Sequence, residues 1–367
     1  MAVTDARVEV RRRTGPPPWA VLAGFAVLVV GGLLWAKWAP YWVKVPSVAG
    51  SHSLGPSILT GGEPAPPGVS LGAGVEFAGT YFLAIWPALV VGLVLAAAVR
   101  VALPSAWIAR VFGAGVRGGV RGSALALPSL MCSCCAAPVA VGLRRRAADL
   151  TATLAYWLAN PALNPVVLAF CAFVLPWPWT VLRAAAGVAV VVAAVALGRW
   201  WARRAPGDAV VDAADVVGVA EEPSADGRPL VVRFLRALGG LAVRLLPEYL
   251  LLVVALGAFR GVLFPVGASW LTGTGVVLAV VAVVLLAVAG TLLPIPTGAE
   301  VAVVVALLAV GVSGPLAAAL LVTLPAVSLP SLLMVRSAFP RRLLVAVTGS
   351  VVAVGLLTSA GAWAVGL

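Results

Sequence analysis

Apolar runs long enough to cross a bilayer recur from one end of this chain to the other, and they leave it few ways to fold. Hydrophobic residues make up 62% of the chain and its mean hydropathy is +1.10. Soluble domains are only about half apolar, so a water-soluble fold is excluded. The net charge of +12 would suit a polyanionic partner if the basic residues formed one patch. Instead the arginines stand between the apolar runs, as cytoplasmic loops do, and no nucleic-acid partner is expected. The fold class expected is an all-α membrane protein, a polytopic helical bundle.

Taken in order, residues 1–17 are a polar tail with Arg11, Arg12 and Arg13, and Trp19 to about Lys37 forms a first span. Trp35, Trp38, Tyr41 and Trp42 follow as an interfacial belt, which argues against a cleaved leader. Residues 43–72 are rich in Gly, Pro and Ser and are expected to form an external loop. Glu76–Val99 is the second span, followed by a Gly-rich basic connector with Arg100, Arg110, Arg117 and Arg121. Ser123–Leu143 carries three cysteines and ends at Arg144, Arg145 and Arg146. Arginines on both sides predict that it enters and leaves on one face as a re-entrant hairpin. Asp149–Leu175 and Thr180–Gly198 cross outward and back.

Residues 202–230 hold most of the chain's mid-length charges and read as a cytoplasmic linker. Beyond it, Leu238–Leu263 is a span, Gly275–Gly311 is interrupted at Pro294–Glu300, and Pro315–Val335 and Leu343–Val365 are spans. The halves then match. Pro128 with its cysteines precedes Pro161 and Pro165, as Pro294 precedes Pro325 and Pro330 at a similar distance. Arginine placement puts the first unit's start outside and the second's inside. This predicts two inverted-topology repeats, each with a broken or re-entrant helix, plus an extra N-terminal span, an architecture of secondary transporters. The domains expected are residues 1–72 (cytoplasmic tail, first span, external loop), 73–201 (first repeat), 202–230 (linker) and 231–367 (second repeat).

Cys132, Cys134 and Cys135 are the residues most suited to chemistry. Three thiols in four residues, between Pro128 and Pro138, are more than packing requires, although cysteine also packs as a small hydrophobe. Pro138 removes the donor that would bond the Cys134 carbonyl, so the turn loosens and the sulfurs can converge. Thiolates are soft ligands and suit soft cations or thiophilic metalloids. Asn160 and Asn164, four apart and each before a proline, form a polar stripe that either lines a solute path or holds spans together. Glu300, after the Pro294–Gly298 interruption, is an intramembrane carboxylate and the first candidate for ion coupling, or an interfacial residue if its hairpin is shallow. Glu248, with Arg244 as its i,i+4 partner, is the second, against the equal alternative of a structural ion pair near the cytoplasmic end. Thr297, Thr323 and Ser328 are the hydroxyls with which the second half would line the site, against the alternative of back-bonding to helix carbonyls. Cys171, alone in a span, reads as packing, and the GxxxG spacings at Gly115/Gly119 and Gly118/Gly122 as weak signals. His52, the only histidine, stands in a polar stretch, so no haem is expected; no other cofactor is called for either.

The Pro-x-x-x-Cys-x-Cys core from Pro128, its basic turn and the Asn160-Pro161-Ala162-Leu163-Asn164-Pro165 ending resemble the ArsP-type permease family. Leu293-Pro294-Ile295-Pro296-Thr297 and Leu324-Pro325-Ala326-Val327-Ser328-Leu329-Pro330 look like that family's second repeat motif. The resemblance covers about 120–366. It implies an inner-membrane permease rather than an enzyme, with gradient-driven efflux of trivalent organoarsenicals among the family's activities. It also implies that Cys132 and Cys134 engage arsenic. Cys135 departs from the glycine or serine usual there, and Thr323-Leu324 departs from the small residues usual before Pro325.

These readings combine into a permease in the inner (plasma) membrane with a cytoplasmic N-terminus. Its partners are a small thiophilic solute or metalloid and the lipid bilayer, with a homo-oligomer left open. The alternatives are efflux of another heavy metal and, from another class, a membrane thiol-disulfide oxidoreductase using the Cys-x-x-Cys of Cys132 and Cys135.

Overall fold

The computed structural model describes residues 18–63, 65–146, 148–206, 229–264 and 276–367; the arginine tail and most of the charged linker lie outside the described residues. Helices alone make up the regular structure of the described residues, and seven of them are long and apolar enough to cross a membrane. Their lengths follow from the bilayer: about 30 Å of hydrocarbon takes about 20 residues at 1.5 Å each.

The first helix is α1 (Pro18–Leu33), continued by a π-helical turn at Leu34–Trp38 and by α2 (Ala39–Ser51). It does not end near Lys37, as the polar and aromatic residues after it suggested; Pro40 sits where the π turn hands over to α2, and Pro46 is accommodated inside it. The 43–72 loop is therefore helical as far as Ser51. In the first half come α3 (Leu71–Ala102), α4 (Ser105–Phe112), α5 (Gly115–Ala126), α6 (Ser133–Arg145), α7 (Leu150–Ala162), α8 (Pro165–Val174) and α9 (Trp177–Arg204). In the second come α10 (Leu230–Ala258), α11 (Val276–Gly290), α12 (Ala299–Ala309), α13 (Gly314–Ala326), α14 (Leu329–Val335) and α15 (Arg341–Ala364).

Each half thus runs span, hairpin of two short arms, broken span, span. The arms of the first hairpin, α5 and α6, are each about 20 Å long, too short to cross. The end of α6 returns to the end of α3, where an Arg146 Nη2 donates to the Arg100 carbonyl. Packing between the halves is reciprocal. First span meets first span (α3 with α10), broken span meets broken span (α7 with α13) and last meets last (α9 with α15), while α6 meets α14 and α8 meets α12.

The core is central. In the most apolar window of α13–α14, 83% of residues are buried, against 11% in that of the N-terminal helix, so the first helix runs along the outside. Close approach of α5 to α7 rests on Gly122, where a Cβ would collide with the Ala152 carbonyl. The Gly118/Gly122 spacing is therefore a packing stripe rather than a weak coincidence.

Candidate functional site

The hairpin of the first half breaks where Pro128 sits in a 3-10 turn at Leu127–Ser129 and Leu130 then adopts φ +50°, ψ 34°. A buried leucine in the left-handed region costs on the order of 1–3 kcal/mol and persists only where its surroundings impose it. Asn160 of α7 is a large part of those surroundings. Its Oδ1 accepts from the Ser129 hydroxyl and, at 3.3 Å, from the Met131 N–H, while its Nδ2 donates to the Tyr156 carbonyl at 2.9 Å. Trp157 on the next position donates its indole N–H to the Ser133 carbonyl at 3.0 Å.

With the backbone held open, Cys132 becomes the N-cap of α6 in an extended conformation, and Cys134 and Cys135 follow in the first turn. The sulfurs do converge. Cys132 Sγ stands 3.1 Å from Cys135 Sγ, and Cys134 is within side-chain hydrogen-bonding reach of Cys132. All three are free thiols, no more than 5% exposed. Across the inter-half boundary, Ser328 Oγ shares a hydrogen bond with Cys134 Sγ at 3.0 Å and lies 3.4 Å from Ser133 Oγ. Ser328 is the N-cap of α14, fixed by a capping box with Ser331. The break of the broken span α13–α14 thus faces the break of the α5–α6 hairpin. Tyr249 of α10 and Tyr81 of α3 close the other side; their hydroxyls are 2.6 Å apart, and Tyr249 also reaches Cys134. Among the described residues, no group of three or more His, Cys, Asp or Glu side chains is arranged to hold a metal ion.

The other crossing, α12 against α8, is built differently. Gly298 caps α12 at φ +89°, a conformation glycine adopts at no steric cost, and Glu300 Oε2 accepts its N–H at 2.8 Å. Glu300 is 1% exposed and stands 4.0 Å from the guanidinium of Arg183, also 1% exposed. Arg183 donates at 2.7 Å to the carbonyls of both Pro161 and Ala162, the last two residues of α7. Glu300 is therefore buried rather than interfacial, with a fixed cation beside it.

Other expected site residues fall elsewhere. Asn160 and Asn164 do not share a stripe, because α7 stops between them; Asn164 is the N-cap of α8, its Oδ1 accepting from the Val166 and Val167 N–H groups. Its Nδ2 is buried without a partner. Glu248 pairs at 2.8 Å with Arg336, half-exposed, and not with Arg244, because α14 brings Arg336 across from the other arm. Thr323 back-bonds to the Ala319 carbonyl at 3.1 Å. Thr297 accepts from Lys37 Nζ at 3.4 Å. Cys171 is buried in a separate apolar cluster with Val167 and Phe170. Sequence reasoning missed Arg183, Lys37, Tyr81 and Tyr249. A lone arginine and a lone lysine inside apolar runs were signals available to it; the paired tyrosines, far apart in sequence, gave none.

A family model described as a predicted permease matches residues 71–360, both halves and both crossings included. The chain belongs to this ArsP-type family of predicted permeases. The permease is also 40% identical over 340 residues to the UPF0718 protein YraQ of Escherichia coli (strain K12), covering 92% of this chain and 93% of that protein. No solved structure matches it. Family and helices together make it a multi-pass membrane protein.

Proposed function

We propose that this permease exports a soft, thiol-reactive solute across the inner membrane, with trivalent organoarsenicals as the class and methylarsenite as the test compound. One observation carries the reading: three free thiols converge at a helix break that faces a break from the other half. Trivalent arsenic bearing two hydroxyls exchanges each for a cysteine sulfur; each thiol proton leaves with the displaced hydroxyl, so two waters are released and arsenic keeps its oxidation state. Cys132 and Cys134 make this exchange, with Cys135 as a third sulfur, and Ser133, Ser328 and Tyr249 surround it. Binding through two or three sulfurs without a closed tetrahedral cage leaves the solute releasable.

The reciprocal packing of the halves is what a two-fold relation between repeats requires, and it supports the inverted-repeat architecture. In this mechanism the α3–α10, α7–α13 and α9–α15 contacts are the surfaces on which one repeat rocks against the other. The first crossing opens alternately to each side, and an ion gradient drives the cycle with the N-terminus in the cytoplasm. Glu300 carries the coupled proton when the Arg183 contact breaks.

The test is accumulation of methylarsenite in inside-out vesicles by wild type, Cys132→Ser and Cys134→Ser. Gradient-dependent uptake lost in either variant is the expected result. Equal uptake in all three would remove the thiols from the mechanism. The 3.1 Å separation of Cys132 and Cys135 also favours a second reading, a thiol-disulfide oxidoreductase. A reversible Cys132–Cys135 disulfide, found by mass spectrometry in place of arsenical protection of the thiols, would select it.

A further inference from the structure

The N-terminal helix lies outside both repeats and mostly on the surface, yet it sends one charged side chain into the junction between them. Lys37 stands near the middle of the continuous helix from Pro18 to Ser51 and is 7% exposed. A lysine in a membrane helix normally snorkels to the interface, which a mid-helix position buried on its inner side does not allow. The π turn at Leu34–Trp38, closed by the Ala39 N–H bonding back to the Leu34 carbonyl, resets the helix face at this point. Insertions of this kind recur at functional sites.

The two residues that the turn presents touch both hairpin breaks. Trp38 donates its indole N–H to the Pro128 carbonyl at 2.7 Å, beside the cysteine turn. Lys37 Nζ reaches Thr297 Oγ1 at 3.4 Å in the second half's break, lies 5.6 Å from the Tyr41 ring, and is within electrostatic reach of Cys132 and Cys135. Among the described residues, no carboxylate pairs with it; the acidic groups there pair with Arg183, Arg260 and Arg336 or stand elsewhere. A buried ammonium beside the Thr297 hydroxyl, Tyr41 and thiols has no carboxylate as a counter-charge, and burying a charge without one is costly.

We propose that Lys37 is a substrate-site residue whose ammonium supplies the fixed positive charge at the thiol cluster, so that the site takes its soft guest together with one negative charge. The proposal rests on reading the cysteines as the binding site. The negative charge has two sources of the same chemistry: a cysteine thiolate, or an anionic group on the solute. The extra span is then part of the transport site and moves with the hairpin breaks rather than serving as an anchor alone.

A charge-matched pair of small alkylating agents tests this without assuming arsenic. Iodoacetamide is neutral and iodoacetate anionic; each loses iodide as a cysteine sulfur bonds to its methylene carbon. Reaction at Cys132, Cys134 and Cys135 would be followed by mass spectrometry in nanodiscs, for wild type, Lys37→Met and Lys37→Arg. Size-exclusion profiles would confirm that the variants are folded. If the thiolate is the source, Lys37→Met slows both reagents on the order of tenfold at neutral pH. If the solute brings the charge, Lys37→Met slows iodoacetate alone and the iodoacetate-to-iodoacetamide ratio falls about tenfold. Lys37→Arg keeps either behaviour within about threefold, since it keeps the charge. Rates unchanged in Lys37→Met would overturn the proposal. So would an absence of labelling in wild type, because a site that admits a solute admits reagents this small. Failure of methylarsenite to protect the thiols, with the charge dependence intact, would sink the arsenical reading and leave Lys37 in place.

Discussion

The two crossings between the halves pose one backbone problem and solve it with opposite chemistry. At α6 against α14, the groups are soft and loosely bonded: three thiols, Ser133, Ser328 and two tyrosines. At α12 against α8, the groups are hard and firmly bonded, with Arg183 taking two carbonyls at 2.7 Å and facing Glu300. The second crossing spends its polar atoms on the protein; the first keeps three free thiols. The breaks are also stitched differently. In the first half an asparagine side chain joins the hairpin break to the broken span, whereas in the second the Leu329 N–H bonds directly to the Leu292 carbonyl at 3.1 Å.

The largest expected effect tests the bonded crossing. Arg183→Ala leaves Glu300 buried without its cation and two carbonyls without a donor, and should cost about 3–5 kcal/mol of stability. Thermal unfolding in detergent would read it, and the double change Arg183→Met with Glu300→Gln should recover much of the loss. A loss under about 1 kcal/mol for Arg183→Ala would erase the distinction between the crossings.

At the soft crossing the expectation is reversed: stability barely moves and transport falls. Cys132→Ser and Cys134→Ser should each cut methylarsenite uptake about a hundredfold, because an alcohol is a poor ligand for a soft centre. Ser328→Ala, which removes a helix cap worth about 1 kcal/mol, should cut uptake only a few-fold. Equal losses from the thiols and Ser328 would mean that the chemistry is shared by both halves.

The stitching contrast is smaller. Asn160→Ala strands the Met131 N–H in the interior, while the Ser129 hydroxyl keeps the Ala126 carbonyl, and should destabilise by about 1–3 kcal/mol. Ser331→Ala, at a break that the backbone already closes, should cost about 1 kcal/mol or less, read in the same melts. Smallest of all is Glu248→Gln. Its partner Arg336 is half-exposed, so the change should cost at most about 1 kcal/mol and fade with added salt. A coupling role for Glu248 would show instead as uptake that no longer responds to the ion gradient.

Much of this architecture was legible before any coordinates. Apolar runs specify membrane helices because the bilayer leaves the backbone no other partner for its polar groups, and prolines mark where those helices break. Thus the seven spans, both interrupted segments and the helix break at Pro128–Cys135 could be read from residue order alone. Boundaries were less secure. The tryptophans and proline after Lys37 looked like the end of a span, yet a π turn carries the helix on to Ser51.

Which polar residue serves which purpose was decided only in three dimensions. Asn160 and Asn164 looked equivalent by spacing, but one holds open the cysteine turn and the other caps a helix. Glu300 looked like a lone carboxylate until α9 placed Arg183 beside it. The physical reason is the same throughout. Hydrophobicity and proline act locally, through each segment's own backbone and its solvent. A buried polar group acts through whichever partner the fold delivers, and Ser328 to Cys134 or Lys37 to Thr297 are deliveries made across the whole length of the chain.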